Sequence, residues 1–282
     1  MLLSKIKPVV THFRDRSFPL PRLLGVLNSE WGMRLDGGPL RDLADLVDAL
    51  KAGAFSEGLV CKPVLGTRGT GIKVFSEVDV VRRTLVSALD QTEMTIAHAL
   101  GSLVSSGSRA SFVPEERIAS HPFCEEINPF TASTIRVITL RDTSGGVHIP
   151  FAGVRLGRRG SMVDNVSQGG LFVEIKTGTG KLGEGRQHPY RIRSSHQAHP
   201  DTGRVFQDRL FPRWREVIDL CTRAAIATPG LHTVGWDVLL GPAGPVLLEG
   251  NHDWAVQVTQ LFGRGYLTAD TRALLREHNV IA

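Results

Sequence analysis

The sequence predicts an α+β protein in which antiparallel strand pairs are separated by helices. Three observations carry this. Short apolar runs arrive two at a time, each pair joined by a turn rich in Gly, Pro or Asp: GLVCKPVLGTRGTGIKVF over 58–75, STIRVITLRDTSGGVHIPFAGVRLG over 133–157 and GWDVLLGPAGPVLLEGN over 235–251. Segments of helical spacing lie near 40–51, 212–228 and 268–280, without the regular strand–helix alternation of a doubly wound sheet. The chain has 282 residues, 41% of them hydrophobic, which is enough for one large core or two modest ones.

Taken in order, residues 1–54 read as a short N-terminal segment with turns at FPLPR and LDGGPL and one helix near Leu40–Lys51. Next come a strand, a glycine-rich loop and a second strand. SEVDVVRRTLVSAL (76–89) reads as a helix, because Ser76 with Asp79 three residues on has the pattern of a capping box. A second helical stretch runs to about Ser105, and SFVPEERI supplies a short strand. The long hairpin turns at DTSGG, MVDNVSQGGLFVEI follows, and the polar stretch to about Arg204 reads as loop. The helix near Pro212–Thr228 leads into the 235–251 hairpin, and TADTRALLREHNV closes the chain as a helix. The domains expected are 1–54, 55–118 and 119–282.

Composition narrows the function. Cys61, Cys124 and Cys221 lie far apart with no C-x-x-C spacing, which argues against a zinc site or a disulfide framework and fits a cytoplasmic protein. No apolar run approaches the roughly 20 residues of a membrane span. Net charge is +5, carried by 26 Arg and seven Lys. Arg suits bidentate recognition of carboxylate and phosphate, although Arg-rich codon usage has the same effect on composition. The basic residues are scattered and aromatics are 6%, so an anionic small substrate is expected rather than nucleic acid.

The 235–251 hairpin holds two acids and an amide on apolar strands. If it is symmetric about Ala243, with the turn over Gly241–Pro245, Asp237 lies opposite Glu249 and Asn251 shares their face. Like charges so placed repel, so a cation is expected between them. Asp237, Glu249 and Asn251 are the hard oxygen ligands that suit Mg²⁺. The alternative is a slipped register, with one acid in solvent or paired with an Arg. In the 58–75 pair, Gly66, Thr67, Arg68, Gly69, Thr70 and Gly71 form a small-residue loop whose amides can approach phosphate, and Lys62 supplies a charge. No G-K-[ST] follows, so it is not a Walker A loop. A plain glycine-rich turn would look the same. Arg136 sits between apolar neighbours, where an unpaired charge would be costly.

Joined in order, these segments resemble the ATP-grasp superfamily, in particular its sugar-transfer associated branch, with a secondary likeness to ribosomal-protein glutamate ligases. The resemblance runs over roughly Gly58–Gln260. It implies an ATP-grasp fold: two α+β lobes with antiparallel sheets clamping ATP. Lys62 and the 66–71 loop resemble the parts that meet the triphosphate. FVPEERI resembles the hinge strand, with Glu115 or Glu116 at the ribose. STIRVITL resembles the Thr-x-Arg strand, which puts Arg136 at the phosphates or acyl centre. VRLGRRGSMVDNVSQGG resembles the segment that brings Arg155, Asn165, Gly169 and Gly170 near the reacting groups. Asp237, Glu249 and Asn251 then hold one or two Mg²⁺, with Mn²⁺ able to substitute.

The activity implied is an ATP-dependent ligase joining a small anionic carboxylate to an amine or thiol through an acylphosphate, releasing ADP and phosphate. A kinase acting on a hydroxyl, or a non-catalytic nucleotide-binding protein of a polysaccharide cluster, are the rival readings. The chain departs from the pattern in three places. Its N-terminal segment is shorter than the family's lobe, a second ATP lysine has no counterpart there, and HDWAVQ follows Asn251 in place of a small-residue and proline loop.

Overall fold

The computed structural model describes residues 13, 17–53, 55, 57–64, 70–104, 111–161, 163–164, 166, 169–187, 195–263 and 265–281. Contacts divide the chain into two compact units. The first contains Pro21–Ala119; the second contains Ser120–Ala282 with the described residues of Thr11–Leu20. The stretch read as a separate segment over 1–54 is therefore shared, since Pro21 onward clusters with the glycine-loop unit.

The first unit holds a two-stranded ribbon, β1 (Gly25–Val26) with β2 (Met33–Arg34), and the helix α1 (Leu43–Gly53). Then come β3 (Leu59–Pro63), β4 (Lys73–Asp79), β5 (Thr84–Ser87), β6 (Glu93–Thr95), α2 (Ile96–Val104) and β7 (Phe112–Glu116). Its five-stranded sheet has the order β6-β5-β4-β3-β7 and every pairing is antiparallel. Leu59, Cys61, Phe75, Leu85 and Phe112 point to one side and bury against Leu46, Val47 and Leu50 of α1 and Ile96, Ala99 and Leu103 of α2. The helix expected over 76–89 is instead the β4–β5 hairpin. Val74, Val78, Leu85 and Val86 suit a half-buried pleated surface. Asp79 does cap, but it caps a turn: its Oδ1 accepts from Val81 N at 2.9 Å and Arg82 N at 2.8 Å, and Arg83 takes φ +56°. Ser76 lies inside a strand, its Oγ on the Val86 carbonyl.

The second unit is built on α3 (Pro122–Ile127), β8 (Thr134–Arg141), β9 (Val147–Leu156), β10 (Leu171–Ile175), β11 (Leu182–Arg186), β12 (Ser195–His196), α4 (Trp214–Ile226), β13 (Thr233–Leu240), β14 (Pro245–Asn251), α5 (Gln257–Gln260) and α6 (Ala269–Glu277). The sheet order is β12-β11-β10-β9-β8-β13-β14. The polar stretch read as loop to Arg204 thus contributes the last two strands at one end of the sheet, β11 and the edge strand β12. LGEGR in β11 lacks the apolar alternation that would mark it, because Gly183 and Gly185 occupy positions without a side chain to show a face. Trp214, Val217, Cys221 and Ala224 form the buried stripe of α4, which packs across β8, β9, β13 and β14. The other face of the sheet carries the polar groups described below. All three cysteines are free and buried, and burial pushes the Cys61 and Cys124 thiols up to about 12. No helix among the described residues is long and apolar enough to cross a membrane.

Candidate active site

The 235–251 hairpin opposes Asp237 and Glu249 through a bulge, without the symmetry expected. Gly241 and Gly244 exchange hydrogen bonds of 2.9 and 3.2 Å around Pro242 and Ala243, a two-residue loop. That loop sets the pairs Leu240↔Pro245, Leu239↔Val246 and Val238↔Leu247. Continued unchanged, the register would put Leu248 opposite Asp237 and turn Glu249 to the other side. Leu248 bulges out instead, and beyond it Asp237 pairs with Glu249, Trp236 with Gly250 and Gly235 with Asn251.

The row extends across the sheet. Asp237 pairs with Arg136, Arg136 with Gly153 and Gly153 with Glu174. Arg155 lies two residues beyond Gly153, so it shares their face. Asp237 is 2% exposed and its two oxygens are taken up by guanidinium groups. Arg136 Nε donates to Oδ1 at 2.6 Å and its Nη2 to Oδ2 at 3.1 Å, while Arg155 Nη2 lies 2.9 Å from Oδ2. Burial alone would raise the Asp237 carboxyl. The charges of Arg136 and Arg155 outweigh it and hold the group well below the usual carboxylate range. The Glu249 carboxyl also lies within hydrogen-bonding reach of Asp237. Two arginines thus stand beside Asp237, while its pairing with Glu249 is kept.

Arg155 is held from its other side by a pair that sequence reasoning passed over. Its Nε donates to Thr134 Oγ1 at 2.8 Å. Thr134 gives its own hydroxyl and its backbone N–H, the latter at 2.8 Å, to Asp164 Oδ2, which stands 3.7 Å from Arg155 Nε. Asp164 is buried, and burial raises its pKa against the pull of Arg155 and the Thr134 hydrogen bonds. Asp164 precedes Asn165 in a loop 30 residues from Thr134. With Val163 before it and Asn165 after it, nothing in its local sequence marked a buried role. On the far side, Arg136 Nη1 donates to the Trp254 carbonyl at 3.2 Å. A Cβ on Gly235 would come within 2.4 Å of Trp254 Cβ, so glycine there lets this loop close over the arginine. Trp236 and Trp254 are both core residues, with indole N–H groups on Thr139 and Thr233.

Glu249 and Asn251 stand side by side on β14, with Asn251 Nδ2 donating to Glu249 Oε1 at 3.2 Å. This leaves the Asn251 side-chain oxygen and the second Glu249 oxygen as hard donors. Among the described residues no group of three or more His, Cys, Asp or Glu could hold a metal. A two-oxygen set fits a cation that keeps its remaining positions for water and phosphate oxygens, as Mg²⁺ does. It does not fit one caged wholly by protein. Asp237 has both its oxygens within hydrogen-bonding distance of two guanidinium groups.

In the first unit, β3 pairs Val60 with Glu115 and Lys62 with Val113, which sets Lys62 and Glu115 on one face. Their side chains form an ion pair and both are largely buried. Glu116 points the other way, to Arg22 at 2.9 and 3.0 Å, and that hydrogen-bonded pairing lowers its pKa. Of the two acids left open by the sequence, Glu115 is the one that stands beside Lys62. Thr70 and Gly71 re-enter β4, with Gly71 at φ +76°. Gly66, Thr67, Arg68, Gly69 and Asn165 lie outside the described residues. Gly169 takes φ +98° and donates to the Val166 carbonyl at 3.1 Å.

The sequence matches the family described as sugar-transfer associated ATP-grasp over residues 5–274. The chain belongs to that family. Solved structures agree on the fold. The chain is similar to biotin carboxylase from Campylobacter jejuni, solved as a β,γ-ATP complex, with TM-score 0.54 and 11% identity over 100% of this chain and 47% of that one. It is similar to the biotin carboxylase domain of 2-oxoglutarate carboxylase from Hydrogenobacter thermophilus, solved with MgADP, ADP and bicarbonate, with TM-score 0.50 and 14% identity over 92% of this chain and 42% of that one. A third likeness is to an L-amino acid ligase from Bacillus licheniformis, with TM-score 0.50 and 12% identity over 96% of this chain and 49% of that one. At such identities the likeness shows the fold alone, and this ATP-grasp chain spans under half the length of each. A comparison with curated protein sequences finds no significant match.

Proposed function

We propose that this ATP-grasp protein is an ATP-dependent ligase that activates a small carboxylate as an acylphosphate and passes the acyl group to an amine or thiol. The observation that carries the reading is the single cross-strand row Glu249–Asp237–Arg136 with Arg155 beside it. Each guanidinium offers five N–H donors. The bonds to Asp237, Thr134 and Trp254 use only some of them. The rest are fixed in direction by a buried acid and can meet the oxygens of a substrate carboxylate or a transferring phosphoryl group, where charge spreads in the transition state.

Charge bookkeeping supports a metal. Arg136 and Arg155 face Asp237, Asp164 and Glu249, two positive groups against three acids. A triphosphate entering alone would meet no net attraction. Glu249 and Asn251 are the residues that would hold Mg²⁺, and the ion, when bound, would neutralise phosphate charge. Lys62, paired with Glu115, would supply a further cation for the nucleotide phosphates. Asp237 orients Arg136 and Arg155 together, and Asp164 holds Thr134 as the fixed acceptor for Arg155. The acid would enter as the carboxylate, gain the γ-phosphoryl group and lose it as phosphate when the nucleophile attacks the acyl carbon.

The test is nucleotide binding by calorimetry, with and without Mg²⁺. Wild-type protein should bind ATP at least tenfold more tightly with Mg²⁺ than without it. Glu249→Gln should remove that difference and Lys62→Met should weaken both. Equal ATP affinity with and without Mg²⁺, unchanged in Glu249→Gln, would contradict the assignment.

A further inference from the structure

A second site lies on the same sheet face, outside the arginine centre. A cleft of about 430 Å³ is formed by β10, β11 and the Gln207–Asp208 segment, with Phe262 as one wall. That volume is within the range of small-ligand sites, about 300–1,000 Å³. Three ion pairs stand on it: Lys176 with Glu174 at 2.7 Å, Lys181 with Asp208 at 2.9 Å and Arg186 with Glu184 at 2.7 Å. Each cation is matched by an acid, so the lining has no net charge to offer an anion or a cation. Two side-chain atoms of lining residues, Arg186 Nε and Gln207 Oε1, are buried without a hydrogen-bond partner in the protein. One is a donor and the other an acceptor.

A hydroxyl group both donates and accepts, so a molecule carrying several hydroxyls complements this lining and a simple ion does not. Alternating carboxylates and ammonium groups take hydroxyl donors and acceptors in turn. The Phe262 ring meets Phe172 edge-on, with centroids 6.2 Å apart, and adds apolar surface to the lining. We propose that this cleft binds an uncharged, hydroxyl-rich molecule of saccharide size. Glu174 lies in the same cross-strand row as Arg136, two strands away, or about 10 Å. The Phe172 ring fills the intervening Gly153 position: a Cβ on Gly153 would meet Phe172 Cε1 at 2.0 Å. The cleft's lining shares no residue with the arginine centre. The inference stands apart from the ligase reading and is measured without nucleotide.

Gly183 gives the test. A Cβ there would make only ordinary contacts, the nearest being 3.4 Å from Glu174 Oε2, so a side chain is accepted and enters the cleft. Saturation-transfer NMR on the full chain would compare glucose, maltose and N-acetylglucosamine with glucuronate and glucosamine. The neutral sugars should give saturable transfer and the charged ones at least tenfold weaker binding. Gly183→Phe should weaken the neutral sugars at least tenfold at an unchanged melting temperature, and Gln207→Leu should weaken them without filling the cleft. Absence of transfer from every neutral sugar, equal transfer in Gly183→Phe, or preference for a charged sugar would overturn the proposal.

Discussion

Replacing Asp237 by Asn is the perturbation whose size follows most directly from the geometry. The substitution keeps the shape and removes one negative charge from a carboxylate that is 2% exposed. Three N–H groups from two arginines point at its oxygens between 2.6 and 3.1 Å. The Asn oxygen keeps part of this, but its NH₂ group meets a guanidinium donor and loses that bond. Two buried positive charges are then left with Asp164 and the half-buried Glu249. Breaking a buried pair from one side costs about 3–5 kcal/mol, because the remaining charge stays desolvated. At about 2–4 °C per kcal/mol for a domain of this size, the melting temperature should fall by about 6–20 °C. Glu249→Gln should cost less than about 1 kcal/mol, since Glu249 is partly solvated and only one neighbour in the row. The assay is urea unfolding of both variants beside wild type, read as a midpoint shift at constant slope. An Asp237→Asn midpoint within about 1 kcal/mol of wild type would refute the claim that the arginines depend on this carboxylate.

Other predictions concern the surroundings. Gly153→Ala places a methyl 2.0 Å from a ring carbon of Phe172, itself 1% exposed, and should cost about 1–3 kcal/mol of stability by urea unfolding. Thr134→Val keeps the shape but removes the acceptor of Arg155 Nε; turnover should fall while the ATP dissociation constant changes less than threefold, as measured by calorimetry. Asp201 accepts hydrogen bonds from Arg158 at 2.7 Å and is held down to about 2. A carboxyl depressed in the folded state contributes stability above its ordinary pKa of 3.8 and loses it as pH falls towards 2. Asp201→Asn should accordingly flatten the pH dependence of unfolding between about 4 and 2 while leaving its shape near neutrality unchanged.

The strand pairs were legible because alternation and turn residues are local signals. The Asp237–Glu249 opposition was legible too, though for a reason that required correction: a two-residue loop and the Leu248 bulge together give the pairing expected from a turn over Gly241–Pro245 symmetric about Ala243. What the sequence left open was non-local. Arg136 and Asp237 are 101 residues apart, and nothing in either strand states that β8 and β13 are neighbours. The same holds for Asp164 and Thr134. Without those neighbours the sequence could not show that two arginines face Asp237. The β4–β5 hairpin was misread because an aspartate that caps a tight turn and one that caps a helix look alike over four residues. In β11 the glycines erased the pattern altogether.

The most direct test of the proposed activity is a trapping experiment. Protein, Mg-ATP, a pool of small carboxylic acids and hydroxylamine are incubated together, and ADP and hydroxamate are measured. The ligase account predicts both products in equal amounts, with hydroxamate absent from Arg155→Ala and from reactions lacking Mg²⁺. ADP formed with a phosphorylated hydroxyl compound and no hydroxamate would contradict it.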